Sequence, residues 1–159
     1  MERILILGVG NPILSDDRAG LLVAEKLASA SLECPNYAVA LETATEGGLE
    51  FLEKLEHFDK AIIVDAMVSG ALEVGEVREL KLEDLQQTSN LLSSHGISLK
   101  TAVEFGRNLG LKMPSAIRIF GIEVSDNLTV SEDVDPRIEA AADSVADLIR
   151  DLLMERREW

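Results

Sequence analysis

Four side chains here combine reactive types with positions that a fold can bring together: the neighbouring carboxylates Asp16 and Asp17, then Asp65, then His95. The acidic pair follows Ile4-Leu5-Ile6-Leu7-Gly8-Val9-Gly10-Asn11-Pro12, Asp65 closes Ala61-Ile62-Ile63-Val64, and His95 stands in Ser93-Ser94-His95-Gly96. Two carboxylates and one imidazole suit a borderline divalent ion such as Ni²⁺ or Zn²⁺, with positions left open for other ligands. Each residue also has an ordinary explanation. Asp17 can be a first-turn acid favoured by the helix dipole, and His95 a loop or capping residue. Asp65 ends an apolar strand, where an uncapped carboxylate is costly. Asp16 is either an acid that supports the site or a solvated cap, and His57, among charges, is read as a surface residue. The case for a site is therefore their convergence.

The elements that must position these residues follow from the apolar pattern. Arg3 to Val9 reads as a first strand buried on both faces. Two glycines and Pro12 then enforce a turn. Ser15, Asp16 and Asp17 supply cap and first-turn residues for a helix from Asp17 to about Ser31 that buries Leu22, Val23 and Leu27. A short second strand (Tyr37 to Leu41), a turn-rich loop (Glu42 to Gly48) and a short helix carrying Leu49, Leu52 and Leu55 lead to a third strand, Lys60 to Ala66. This β-α-β-α-β order implies parallel strands with right-handed crossovers. The link to the next strand, Glu76 to Leu82, is too short for a crossover helix, so that strand is expected to run antiparallel at an edge.

Residues 83 to 96 read as polar and irregular. A third helix follows from about Ile97 to Leu109, burying Leu99, Ala102, Val103 and Leu109, and then a last strand from Ala116 to Ile122. Pro136 opens a final helix whose stripe is Ile138, Ala141, Ala142, Val145, Leu148, Ile149 and Leu152. The fold class expected is α/β: a single domain over residues 1–159, a three-layer sandwich with a twisted, mostly parallel five-stranded sheet, one antiparallel strand and helices on both faces. With the first and third strands parallel, Asp17 and Asp65 share the carboxyl edge of the sheet. With the last strand parallel too, the third helix descends from that edge and His95 joins them. A parallel fourth strand would undo this inference.

The 159 residues are 47% hydrophobic, which excludes a disordered chain. Fifteen Lys and Arg against 29 Asp and Glu leave a net charge of −14, a field that repels a phosphate backbone, so nucleic acid is not an expected partner. No apolar run approaches the roughly 20 residues of a membrane span, and the first residues lack a signal-peptide layout. The single cysteine, Cys34, forms no internal disulfide. These features are read as a cytoplasmic protein without a membrane partner, and as a monomer, with residues Met154 to Trp159 a frayed terminus. The beginning Gly8-Val9-Gly10 suggests a dinucleotide fold, but Ile13 stands where the third glycine belongs and two acids occupy the phosphate position. No phosphate loop, Gly-x-Ser-x-Gly, Cys–His pair or His-Glu-x-x-His motif is present.

The stretch from Gly8 to Gly20 closely resembles the signature of the hydrogenase maturation endopeptidases, which process the large subunit of nickel–iron hydrogenases at its C-terminus. The likeness extends to Ile62-Ile63-Val64-Asp65-Ala66, to Ser94-His95-Gly96-Ile97-Ser98-Leu99 and to Gly121-Ile122-Glu123 before a long helix. It implies a mainly parallel sheet between helices and an aspartyl-type-like peptidase with no nucleophile assigned. By the resemblance, Asp17, Asp65 and His95 are the metal-contacting positions. They recognise nickel already placed in the precursor, so that no cofactor is stored by the protease, and a C-terminal extension is removed. The alternatives are a nickel-sensing assembly chaperone that binds the precursor without cutting it, and a nucleotide-binding domain, which the glycine count disfavours.

Overall fold

The computed structural model describes residues 1–45, 48–87, 99–125, 130–155 and 159. The first apolar run forms β1 (Arg3–Val9), buried at every position after Arg3. A 3₁₀ turn (Asp16–Arg18) and α1 (Ala19–Ser29) follow, then β2 (Ala38–Ala44), α2 (Leu49–Leu55) and β3 (Lys60–Met67). β4 (Val77–Lys81) leads into a second 3₁₀ segment (Leu82–Gln87). The remaining elements are α3 (Leu99–Asn108), β5 (Ala116–Glu123) and α4 (Pro136–Met154).

The sheet order is β2-β1-β3-β5-β4. All pairs are parallel except β4 with β5, and β4 lies at the edge as its short link requires. Alternate residues of the central strands face two separate cores, the period-2 geometry of a strand. Ile4, Ile6, Ile62, Val64, Phe120 and Ile122 pack beneath α1 and α4. Leu5, Leu7, Ile63 and Ile119 pack beneath α2 and α3 with Phe51, Leu55, Leu99 and Val103. The molecule is thus a three-layer α/β sandwich with helices on both faces of a mostly parallel sheet.

Several boundaries differ from the sequence expectation, each for a physical reason. β2 continues to Ala44 because Glu42, Thr43 and Ala44 pair in register with Leu7, Gly8 and Val9; an edge strand tolerates polar residues that otherwise read as loop. The first helix does not start at Asp17: the 3₁₀ turn intervenes and α-helical bonding begins at Ala19. Ser15 makes no side-chain cap bond. Leu82, expected to end the fourth strand, and residues 83–87, expected to be irregular, form 3₁₀ structure. Leu49 and Leu148 sit on exposed helix surface, with Phe51 and Ala146 taking buried places instead, and Leu109 is exposed just past the end of α3 at Asn108. Trp159 is half-buried against the core rather than frayed, its ring 5.3 Å from Lys60 Nζ. Pro136 does open the final helix, and the Asp135 carboxylate caps it by accepting the Arg137 N–H at 2.9 Å. Bonding to the Arg137 side chain and backbone holds that carboxyl down at about 2.

Candidate active site

The strand order reverses between β1 and β3: the chain moves from β1 outward to β2, then crosses back over β1 to β3. At such a switch point the loops leaving adjacent strands part to opposite sides and open a crevice at their carboxyl ends. The acidic pair follows β1 at that edge, and Asp65 is the third residue from the end of β3.

Close backbone packing fixes the two strands' ends against each other. Gly20, in the first turn of α1, has no room for a side chain, since a Cβ there would collide with the carbonyl oxygens of Val9 and Val64. Helix α1 therefore rests directly on the backbone of β1 and β3. Asp17 stands three residues before that contact, and Asp65 immediately after Val64. Asp17 is half-buried, and its Oδ2 accepts the backbone N–H of Asn11 at 2.9 Å. Burial raises its pKa above the ordinary value of 3.8, and the Asn11 N–H partly offsets the shift. A half-buried carboxylate with an upward shift in a cleft is a common mark of a working acid.

Asp65 is 5% exposed, and its Oδ1 accepts the N–H of Ala66 at 2.8 Å. Ile63 and Met67, two positions either way, pack on the face of α2 and α3, so strand alternation directs Asp65 to the same side. His95, four residues before the first described residue of α3, lies outside the described residues. Among the described residues no group of three or more His, Cys, Asp or Glu side chains forms a metal-binding cluster.

Asp16, left open between two roles, is tied to serine hydroxyls. It is buried, and its carboxylate lies 3.3 Å from Ser15 Oγ and 3.5 Å from Ser125 Oγ, toward the loop between β5 and α4. Glu123 was quoted only as part of a motif, yet it is the most buried ionisable group described, at 2% exposure. Its carboxylate accepts the N–H of Ser69 at 3.0 Å, the Ser69 hydroxyl at 2.9 Å and the N–H of Gly70 at 3.0 Å. It thereby anchors the segment that leaves β3 just beyond Asp65. A partial signal was available: like Asp65, it is a lone acid that follows an apolar run, here Ile119-Phe120-Gly121-Ile122, although its partners Ser69 and Gly70 are set by strand pairing.

The turn after β1 is also closed to a pyrophosphate. The N–H of Gly10 is bonded to Ala44 O, that of Asn11 to Asp17, that of Ile13 to Asn11 Oδ1, and that of Leu14 to Asn11 O. No donor of these four is free for a phosphate cradle, so the nucleotide reading fails on geometry as well as on glycine count.

The family model for hydrogenase maturation proteases matches residues 21–151. The chain belongs to the hydrogenase maturation protease family. The match begins beyond the turn that carries Asp16 and Asp17, so it rests on the remainder of the chain. Among curated relatives, the hydrogenase 2 maturation protease of Escherichia coli (strain K12) is 29% identical over 153 residues, covering 94% of this chain and 92% of that protein. The solved structure of the NiFe hydrogenase maturation protease HycI from Thermococcus kodakarensis KOD1 superposes with a TM-score of 0.73 at 26% identity, over 95% of this chain and 92% of the other. The hydrogenase maturating endopeptidase HybD from E. coli also gives 0.73, at 29% identity, over 92% and 89%. As a member of this family the protein is a peptide hydrolase, and the sandwich described above is the family's architecture.

Proposed function

We propose that this hydrogenase maturation protease removes a C-terminal extension from the large-subunit precursor of a nickel–iron hydrogenase, and that it does so by reading the nickel the precursor carries. Asp17, Asp65 and His95 are the protein ligands offered to that nickel, which arrives as part of the substrate. The observation that supports the reading is that Asp17 follows β1 and Asp65 lies near the end of β3, the adjacent parallel strands at the switch point, whose ends α1 contacts through Gly20. Hard carboxylate oxygens and an imidazole nitrogen suit a divalent nickel ion that already has other ligands. Holding the metal fixes the neighbouring peptide bond in the crevice, where proximity supplies much of the rate. Nickel held in this way can polarise a carbonyl or a bound water; no side chain of this protein is assigned as nucleophile. Family membership favours proteolysis over a binding-only chaperone, and the reaction takes place in the cytoplasm, on a monomeric enzyme.

Intact-mass spectrometry of a cognate precursor after incubation with the protein tests the reading. Loss of one defined C-terminal peptide is expected. Stable binding of every cognate precursor without any change in mass would instead establish the chaperone.

A further inference from the structure

Glu123 closes β5 with its side chain on the face that Asp65 uses. Its neighbours Ile122 and Val124 pack on the side of α1 and α4, so strand alternation sends Glu123 to the side of α2 and α3. In the parallel pairing of β3 with β5, Asp65 stands opposite Gly121 and Met67 opposite Glu123. The two acids are thus one side-chain repeat apart along adjacent strands. Oε1 of Glu123 accepts the N–H groups of Ser69 and Gly70, and the Ser69 hydroxyl donates to Oε2. That hydroxyl in turn accepts the N–H of Ala71 at 3.1 Å. Gly70 holds φ at +70°, the left-handed conformation that turns successive N–H groups toward one anion. Main-chain bonds close the far end of the same link: the Glu123 N–H donates to Glu76 O and the Gly75 N–H to Glu123 O, both at 2.8 Å. Both ends of the connection from β3 to β4 are therefore fastened to one residue.

We infer that Glu123 is a positioning residue for the cleavage reaction: by holding Ser69 and Gly70 it fixes the exit of β3, and with it the direction of the Asp65 carboxylate. The inference rests on the function proposed above, in which Asp65 is one of the ligands offered to the precursor's nickel. Glu123 does not take that part itself. It is 2% exposed and its oxygens are engaged by the link, so its contribution reaches the substrate only through Asp65. Burying a carboxylate costs stability, which charge-assisted bonds offset. An apolar side chain would close the strand without that cost. What the carboxylate adds is direction, because its donors come from consecutive residues just beyond Asp65, and the chain cannot swing there without breaking their bonds. A displacement of about 1 Å at a reacting group can cost on the order of a hundredfold in rate.

The test is steady-state cleavage of a purified nickel-loaded precursor by the wild type, Glu123→Gln, Ser69→Ala and Asp59→Ala, with amide hydrogen exchange and thermal unfolding on each protein. The glutamine keeps one acceptor but turns an NH₂ group toward donors. Exchange at the Ser69 and Gly70 amides is expected to quicken about tenfold, the loss of roughly one such bond. The kcat is expected to fall at least about tenfold with KM within about threefold, because a misplaced group acts on the chemical step more than on docking. Asp59→Ala controls for stability. At the amino edge of the same strand, its carboxylate accepts the Arg3 N–H at 2.7 Å and pairs with Lys112 at 2.8 Å. Its unfolding temperature is expected to fall while its kcat matches the wild type. If Glu123→Gln fails to fold, Ser69→Ala, which removes the hydroxyl alone, carries the test with a smaller fall in kcat. A folded Glu123→Gln that keeps the wild-type kcat, or an equal fall in Asp59→Ala, overturns the positioning role while leaving the protease reading intact. A wild type that leaves the precursor's mass unchanged overturns both.

Discussion

Asp17 holds its carboxylate where burial works against the charge, and that has a stability consequence. Its folded pKa is raised above 3.8 by desolvation. An acid with a raised folded pKa lends stability only when protonated: the contribution is present below the unfolded value and is lost as pH rises through the folded one. At pH 7 the ionised Asp17 therefore costs stability, which is tolerable at a working site. Asp17→Asn keeps an acceptor for the Asn11 N–H and removes the charge. It is expected to abolish precursor cleavage while its melting temperature at pH 7 equals or exceeds that of the wild type, with the difference shrinking toward pH 4. Paired melting and cleavage assays decide this; a variant that cleaves normally, or melts several degrees lower at pH 7, contradicts the role. Asp16 has the opposite part, bonded into the seam between two loops, although the two acids are adjacent and identical in type.

Among the elements, α1 matters most, because its first turn rests on β1 and β3 through Gly20. A methyl group at that position meets backbone oxygens, which cannot rotate away as a side chain can. Gly20→Ala is expected to cost about 1–3 kcal/mol in urea unfolding, the range for overpacking a tight contact. Its cleavage rate should fall further than that stability loss explains, because the shift moves Asp17 relative to Asp65. A variant with unaltered stability would mean that α1 does not set the spacing of the two strand ends. The central strands were legible because an apolar run such as Ile4–Leu7 or Ala61–Val64 can only be buried on both faces, and the antiparallel β4 followed from the length of its link. The end of β2 was not legible, since Glu42 and Thr43 read as loop until pairing with β1 is known. The stripe of α4 overreached at Leu148 because a 3.6-residue period marks a sector wider than the face that packs, and Leu109 is exposed because α3 ends one residue before it. Glu123 escaped as an anchor because Ser69 and Gly70, its partners, are brought to it only by the parallel pairing of β3 with β5.

For the whole molecule, strand order decides where chemistry is done. The order β2-β1-β3-β5-β4 puts the switch point between β1, which Asp17 follows, and β3, which carries Asp65. That Asp17 and Asp65 fall at the same edge of the sheet was readable from sequence once the first and third strands were taken as parallel; the seam between the loops after β1 and β5 was not, since its ties join loops more than a hundred residues apart. No described helix is long and apolar enough to cross a membrane. The net charge of −14 gives the surface a field that suits a cationic rather than an anionic partner at close range. The central claim is that the precursor's nickel is what the site reads. It is tested most directly by incubating the wild-type protein with nickel-loaded and nickel-free forms of one precursor and weighing both products by mass spectrometry. Loss of the C-terminal peptide from the loaded form alone is the predicted result. Equal cleavage of both forms would contradict the metal-reading role of Asp17, Asp65 and His95.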